Sequence, residues 1–305
     1  MGRAMPQAIK RKGAIPAETN TGVTFERRLS GALRLLHPFP SLMNAAAVLL
    51  FAALALGHPP GVALGARLAL TMLAAQLAIG IANDLADRPL DRATKGAKPL
   101  ASGAVSPVVA GGMLGVALLG AALGAASFGF ASLATVALGT GLGLAYDLRL
   151  KRTTLSWLPY LLALPLAPIW VWVALDRFGP RLLWLYPLGA SLFVALHLAN
   201  ALADYTGDTA AGVRGIAQRL GREPAIRVLW CAALLPLVFG SALGLVLPYR
   251  WERFGPALAL TLLTILLAAA LTRRQPSQEA PYRAAFGLLM VGTIILAVGW
   301  LGAVG

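Results

Sequence analysis

LTMLAAQLAIGIANDLADRPLD, residues 70–91, reads in two halves. Residues 70–82 carry no charge. Residues 83–91 then present Asn83, Asp84, Asp87, Arg88 and Asp91. Ionisable groups at the end of an apolar run are costly near a bilayer, so their presence calls for a function or a partner. Asn83, Asp87 and Asp91 stand four residues apart, which puts them on one face of a helix. The same N-x3-D-x3-D spacing returns in NALADYTGD, residues 200–208, at Asn200, Asp204 and Asp208. The chain has 12 acidic residues, and Asp84, Asp87, Asp91, Asp204 and Asp208 all fall in these two stretches.

One Asp or Asn at a helix end is commonly a cap. Two matching sets beside apolar spans exceed what capping needs. Brought together, the two faces form a compact acidic site, and Mg²⁺ bound through oxygen is the usual means of neutralising one. Basic residues follow each motif: Lys95 and Lys98 after the first, Arg214 and Arg219 after the second. Such side chains bind phosphate oxygens directly. Metal-binding acids beside basic groups suit a diphosphate. At the mouth of a helix bundle they suit an amphiphile with its head near water and its tail in an apolar cavity, which is the shape of a prenyl diphosphate.

The composition supports a membrane setting. Of 305 residues, 58% are hydrophobic and 12% charged, which is outside the range of a soluble core. Nine apolar stretches approach spanning length, near 41–57, 62–86, 107–126, 128–146, 157–175, 182–205, 226–247, 254–272 and 284–303. The expected fold is therefore an all-α membrane protein, with nine transmembrane helices around a central cavity open near the cytoplasmic face. A flexible basic cytoplasmic arm (1–33) precedes a transmembrane domain (34–305). Pairs of glycines four apart (Gly111 and Gly115, Gly120 and Gly124, Gly139 and Gly143, Gly240 and Gly244) predict close helix approach in lipid.

With the N-terminus placed in the cytoplasm, only Arg67, Arg177, Arg181, Arg250 and Arg253 of the 26 Lys and Arg fall on the far side. That bias predicts a multi-pass protein of the cell (inner) membrane, with the N-terminus in, the C-terminus out and both acidic motifs cytoplasmic. The net charge of +14 is spread between apolar runs, which fits anionic headgroups and topology signals; no nucleic-acid partner is expected. The N-terminal segment lacks the short apolar core of a cleavable signal peptide. Lys10, Arg11 and Lys12 are expected to be solvated or to touch anionic lipid. A single cysteine, Cys231, leaves no intrachain disulfide or cysteine-based zinc site.

With NDLADRPLD (83–91) followed by KPLASGAVS (98–106), NALADYTGD (200–208) followed by GVRGIAQRLG (212–221), and AYDLRLKR (145–152) between them, the chain resembles the UbiA superfamily of intramembrane prenyltransferases. The resemblance implies that Asn83, Asp87, Asp91, Asn200, Asp204 and Asp208 hold Mg²⁺ against the diphosphate, with Asp84 in support. It implies that Lys95, Lys98, Lys151, Arg214 and Arg88 contact phosphate oxygens, and that Tyr146 lies beside the diphosphate or the developing allylic cation. The implied reaction moves a prenyl group from a polyprenyl diphosphate to an aromatic or other lipophilic acceptor, with release of diphosphate.

Two departures from the family pattern stand out. Tyr146 and Lys151 are five residues apart where the family usually has four, so Lys151 or Arg149 is the candidate for that lysine. His37 precedes Pro38 where the family often has arginine; Arg34, one turn earlier, is the candidate acceptor-binding group. Asp147 has Arg149 and Lys151 within reach for an ion pair. His197 is expected to serve helix packing. A membrane terpene cyclase on the same scaffold and a cation-coupled transporter are the rival readings. The first would make a cyclic product without an acceptor; the second would pass ions without chemistry.

Overall fold

The computed structural model describes residues 25–94 and 96–304. Lys95 and the arm residues before Phe25, with Lys10, Arg11 and Lys12 among them, lie outside the described residues. Among those described, every regular element is a helix. Thirteen α-helices follow in chain order: α1 (Phe25–Leu35), α2 (Pro38–Leu56), α3 (Val62–Thr94), α4 (Pro107–Ala126), α5 (Phe130–Leu148), α6 (Leu158–Ala163), α7 (Leu166–Ala174), α8 (Leu185–Leu202), α9 (Tyr205–Ala210), α10 (Ile216–Leu220), α11 (Arg222–Leu243), α12 (Trp251–Arg274) and α13 (Ala280–Val304).

Eight helical segments are long and apolar enough to cross a membrane. They correspond to eight of the nine expected spans, and the chain is an integral multi-pass membrane protein. The remaining stretch, 157–175, is not one span-length helix. It is broken into α6 and α7, of 6 and 9 residues. Pro165 stands at the break and Pro168 just beyond it; each lacks an amide hydrogen and crowds the preceding turn. Residues 25–33, expected in the flexible arm, begin helix α1.

The length of α3 positions the first motif. Its 33 residues at 1.5 Å per residue extend about 50 Å, against a hydrocarbon core of about 30 Å. The turns bearing Asn83 to Asp91 therefore project past the apolar segment. Two glycines seat α3 between its neighbours. A Cβ on Gly124 of α4 would lie 2.3 Å from Thr71 Oγ1, and one on Gly143 of α5 would lie 2.6 Å from Ile79 Cδ1. Gly111 and Gly115 have open space instead and serve no helix contact.

The most enclosed span ends in α8, which packs against α6, α11 and α13. Its buried face, with Leu188, Leu192, Leu196 and Ala199, joins Trp170, Phe254, Tyr282 and Trp300 in the main core. Trp170 is fully buried, and its indole N–H donates to Ser132 Oγ at 2.8 Å. Large apolar side chains elsewhere, such as Leu70, Val116, Leu123 and Leu266, face outward. In lipid that outer surface is the solvated one.

Candidate active site

The first motif stays helical to its end, so Asn83, Asp87 and Asp91 share one face of α3. The second does not form the expected single helical ladder. Helix α8 ends at Leu202, Asp204 takes a non-helical conformation (φ −128°, ψ 18°), and Asp208 lies on the separate helix α9. The Asp208 amide still donates to the Asp204 carbonyl at 2.9 Å, which preserves the four-residue step across the break. All six motif residues line one polar cavity of about 140 Å³. Lys98, Tyr146, Lys151 and Arg152 complete much of its wall.

Lysines span the first acidic ladder. Lys98 Nζ donates to Asp84 Oδ1 at 3.0 Å and to Asp91 Oδ2 at 2.8 Å. Lys151 Nζ donates to Asn83 Oδ1 at 3.1 Å and to Asp87 Oδ1 at 2.6 Å. Burial alone would lower the Lys98 pKa. The hydrogen bond to Asp91 and the charge of Asp84 outweigh it and raise the value, so Lys98 keeps its proton. On the second ladder, Asp204 Oδ1 lies 3.3 Å from Arg283 Nη2 of α13.

Helix α5 stops at Leu148 and a 3₁₀ turn covers Leu150–Arg152. That turn delivers Lys151 to the cavity although it is five residues beyond Tyr146; Arg149 points outward. Tyr146 and Asn200 line the cavity together. The Tyr146 ring meets Tyr160 and His197 edge to face, with centroids 5.3 and 6.0 Å away, a favourable arrangement for aromatic quadrupoles. His197 has a partner other than lipid-facing helices: its Nε2 is 2.9 Å from Ser156 Oγ.

Several expected contacts fall elsewhere. Asp84 is buried behind the cavity wall, tied to Lys98 and with Oδ2 3.2 Å from His37 Nε2. Arg88 is half-buried and off the wall. Arg214 is exposed and off the wall, while its neighbours Val213 and Gly215 line it. Arg34 is exposed and lines none of the three cavities described here. His37 occupies the inner position instead. Its backbone adopts φ 45°, uncommon without glycine, and its ring sits where a Cβ on Gly80 would lie, 2.9 Å from Cδ2.

Arg152, Arg283 and Gln218 were not among the expected contacts. Arg152 Nη2 lies 3.9 Å from Asp87 Oδ1. Gln218 lines the cavity with a buried Nε2 that has no partner. In sequence the two arginines look like any positive-inside charge, and nothing marks Gln218.

Among the described residues, no three acidic, histidine or cysteine side chains converge closely enough to hold a metal unaided. Magnesium rarely needs such a cage: it keeps waters and takes one or two carboxylates plus phosphate oxygens. The oxygen-only donors of both ladders fit that mode. The unpartnered donor of Gln218 fits an anion.

Asn83, Tyr146 and Asn200 also wall a second, mostly apolar cavity of about 370 Å³. Its far end meets a third, apolar pocket of about 60 Å³ through Asn44, Leu164, Ala167 and Met290. The polar cavity thus shares a wall with a larger, mostly apolar one.

That architecture has known counterparts. The sequence pattern of the UbiA prenyltransferase family matches residues 44–300, and the chain belongs to that family. The structure superposes on a UbiA homolog from Aeropyrum pernix K1 in its apo form, with TM-score 0.65 and 20% identity over 85% of this chain and 96% of that one. A UbiA homolog from Archaeoglobus fulgidus bound to DMAPP and Mg²⁺ gives TM-score 0.63 and 18% identity, over 87% and 98%. A digeranylgeranylglyceryl phosphate synthase gives 0.65 and 13%, over 90% and 97%. At these identities the likeness is one of fold. No curated protein matches the sequence.

Proposed function

We propose that this protein transfers a prenyl group from a prenyl diphosphate to an aromatic or other lipophilic acceptor, with Mg²⁺ as cofactor. One observation carries the reading: both N-x3-D-x3-D motifs, 117 residues apart in sequence, face one polar cavity that adjoins a larger, mostly apolar one. Two similar folds are bound to a prenyl diphosphate and Mg²⁺, one to DMAPP and one to GPP.

Asp87, Asp91, Asp204 and Asp208, with Asn83 and Asn200, would hold magnesium, which when bound supplies charge neutralisation for the departing diphosphate. Lys98, Lys151, Arg152 and Gln218 bind the remaining phosphate oxygens. Lys151 is the family lysine in this reading. Asp84 positions Lys98 from behind. Lys95, Arg88 and Arg214 remain candidates for the outer rim. Interactions that strengthen as negative charge moves onto the leaving group favour breaking the C–O bond over simply binding the substrate. Tyr146 and the apolar chamber exclude water from the allylic cation until the acceptor captures it.

We place both motifs on the cytoplasmic side of the inner membrane and the C-terminus outside. Helices α6 and α7 together cross in this arrangement, as the Lys and Arg distribution requires. The test is purified protein with Mg²⁺, a set of prenyl diphosphates and a set of quinone precursors, read by diphosphate release and product mass. A prenylated acceptor supports the reading. A cyclic product formed without acceptor would overturn it in favour of a cyclase.

A further inference from the structure

Asp147 is a buried acid with one side-chain oxygen that makes no hydrogen bond. It is 4% exposed and sits in the last turn of α5, where the negative end of the helix dipole opposes an acid. The expected pairing with its neighbours does not form: Lys151 turns to Asn83 and Asp87, and Arg149 faces outward. Asp147 Oδ2 is buried with no hydrogen-bond partner, and the residue lines the 370 Å³ cavity. A buried carboxylate oxygen without a partner, on the wall of a chamber, calls for a donor from a ligand.

The wall of that chamber contains no Lys or Arg among the described residues. Its only basic side chain is His37, whose Nε2 lies 3.2 Å from Asp84 Oδ2 without hydrogen-bond geometry. Arg34, the group that would suit a carboxylate, is exposed and outside. A carboxylate-bearing acceptor would meet the Asp147 carboxylate in a low-dielectric space with no Lys or Arg on that wall to balance the pair.

We infer that the acceptor is a neutral hydroxyl compound, a phenol or an alcohol, whose O–H donates to Asp147 and loses its proton there. This rests on the prenyl-transfer reading above. The step balances as follows. The C1–O bond of the donor breaks and its electron pair leaves with the diphosphate. A bond forms to C1 from the acceptor's oxygen, or from the ring carbon which that oxygen activates. On the oxygen route the O–H proton is taken by Asp147 and passed to water. On the ring-carbon route Asp147 takes the O–H proton, the ring C–H bond then breaks to restore aromaticity and the oxygen regains a proton, so one proton leaves in either case.

The experiment uses purified full-length protein, Mg²⁺ and geranylgeranyl diphosphate, with 4-hydroxybenzoate and its methyl ester as matched acceptors. Prenylated product and diphosphate are both measured. Wild type should prefer the ester on the order of 100-fold in kcat/KM, since juxtaposed like charges cost several kcal/mol. Asp147→Asn should lower kcat with the ester by about 100- to 10,000-fold, the usual range for a lost proton acceptor. It should also lower KM for the free acid and leave affinity for the donor within about threefold, as a shift in charge preference requires. Equal use of acid and ester by wild type, no use of the ester beside measurable turnover of the acid, or full ester turnover in Asp147→Asn would each overturn the inference alone. Failure to bind or consume the prenyl diphosphate under any condition would remove the prenyl-transfer reading itself. Melting temperature and elution profile check that the variant folds; if it does not, the wild-type preference between acid and ester remains a complete test.

Discussion

Lys151→Ala removes the charge of Lys151 together with its side chain and tests why a lysine lies across an acidic ladder. Lys151 and Asp87 side chains are 14% and 17% exposed, and their contact at 2.6 Å is among the tightest in the site. Hydrogen bonds to charged groups contribute about 1.5–3 kcal/mol, and an unsatisfied buried acceptor costs about 1–3 kcal/mol. With partial exposure, the loss on removing Lys151 is expected at about 1–3 kcal/mol, toward the lower end. For a chain of this size that lowers Tm by about 2–4 °C per kcal/mol. The informative measurement is the response to Mg²⁺. In wild type the ion competes with Lys151 for Asp87. In the variant it meets a carboxylate whose remaining basic neighbour is Arg152, 3.9 Å away, and at ten times its Kd it returns about 1.4 kcal/mol. Thermal melts of both proteins against MgCl₂ should therefore show a larger gain for the variant. Equal gains, or a variant as stable as wild type without magnesium, would refute this account of the lysine. Donor affinity in Lys151→Ala should fall by about 10- to 150-fold, from loss of one charged contact to phosphate.

Other outcomes follow from the same structure. Asp87→Ala and Asp204→Ala should each abolish diphosphate release, by several kcal/mol of lost charge stabilisation, while still eluting as folded protein; turnover at the wild-type rate in either would count against the site. Gly143→Ala should cost about 1–3 kcal/mol because its Cβ would press on Ile79, whereas Gly111→Ala, with open space around it, should leave Tm unchanged. Trp170→Phe should cost about 1–3 kcal/mol by leaving Ser132 without its indole partner. Single cysteines placed at Arg177 and Arg219 in a Cys231→Ser background should react with an impermeant maleimide from opposite sides of sealed vesicles; labelling from the same side would contradict the assigned topology.

Sequence reading reaches some features of this protein and misses others for physical reasons. The helical first motif was legible because a four-residue period in an unbroken apolar run has few alternatives. The break in the second motif was not, since Asn200, Asp204 and Asp208 keep the same spacing through a turn. The break within 157–175 falls at Pro165, with Pro168 just beyond, in a run whose apolar length alone matches a span. The role of Lys151 depended on a 3₁₀ turn, which shifts register without a distinctive residue. Arg34 looked one turn from the acceptor position, yet the chain bends at His37 and leaves it outside. Arg283 reaches Asp204 from a helix about 80 residues later, a long-range contact with no local signal.

Binding of geranylgeranyl thiodiphosphate, a donor resistant to ionisation, tests the central claim most directly. Calorimetry in Mg²⁺ and in EDTA would be run on wild type, Asp87→Ala and Asp204→Ala. If both ladders grip one diphosphate through magnesium, wild type binds only with Mg²⁺ and each variant loses binding. Metal-independent binding, or unchanged affinity in either variant, would contradict it.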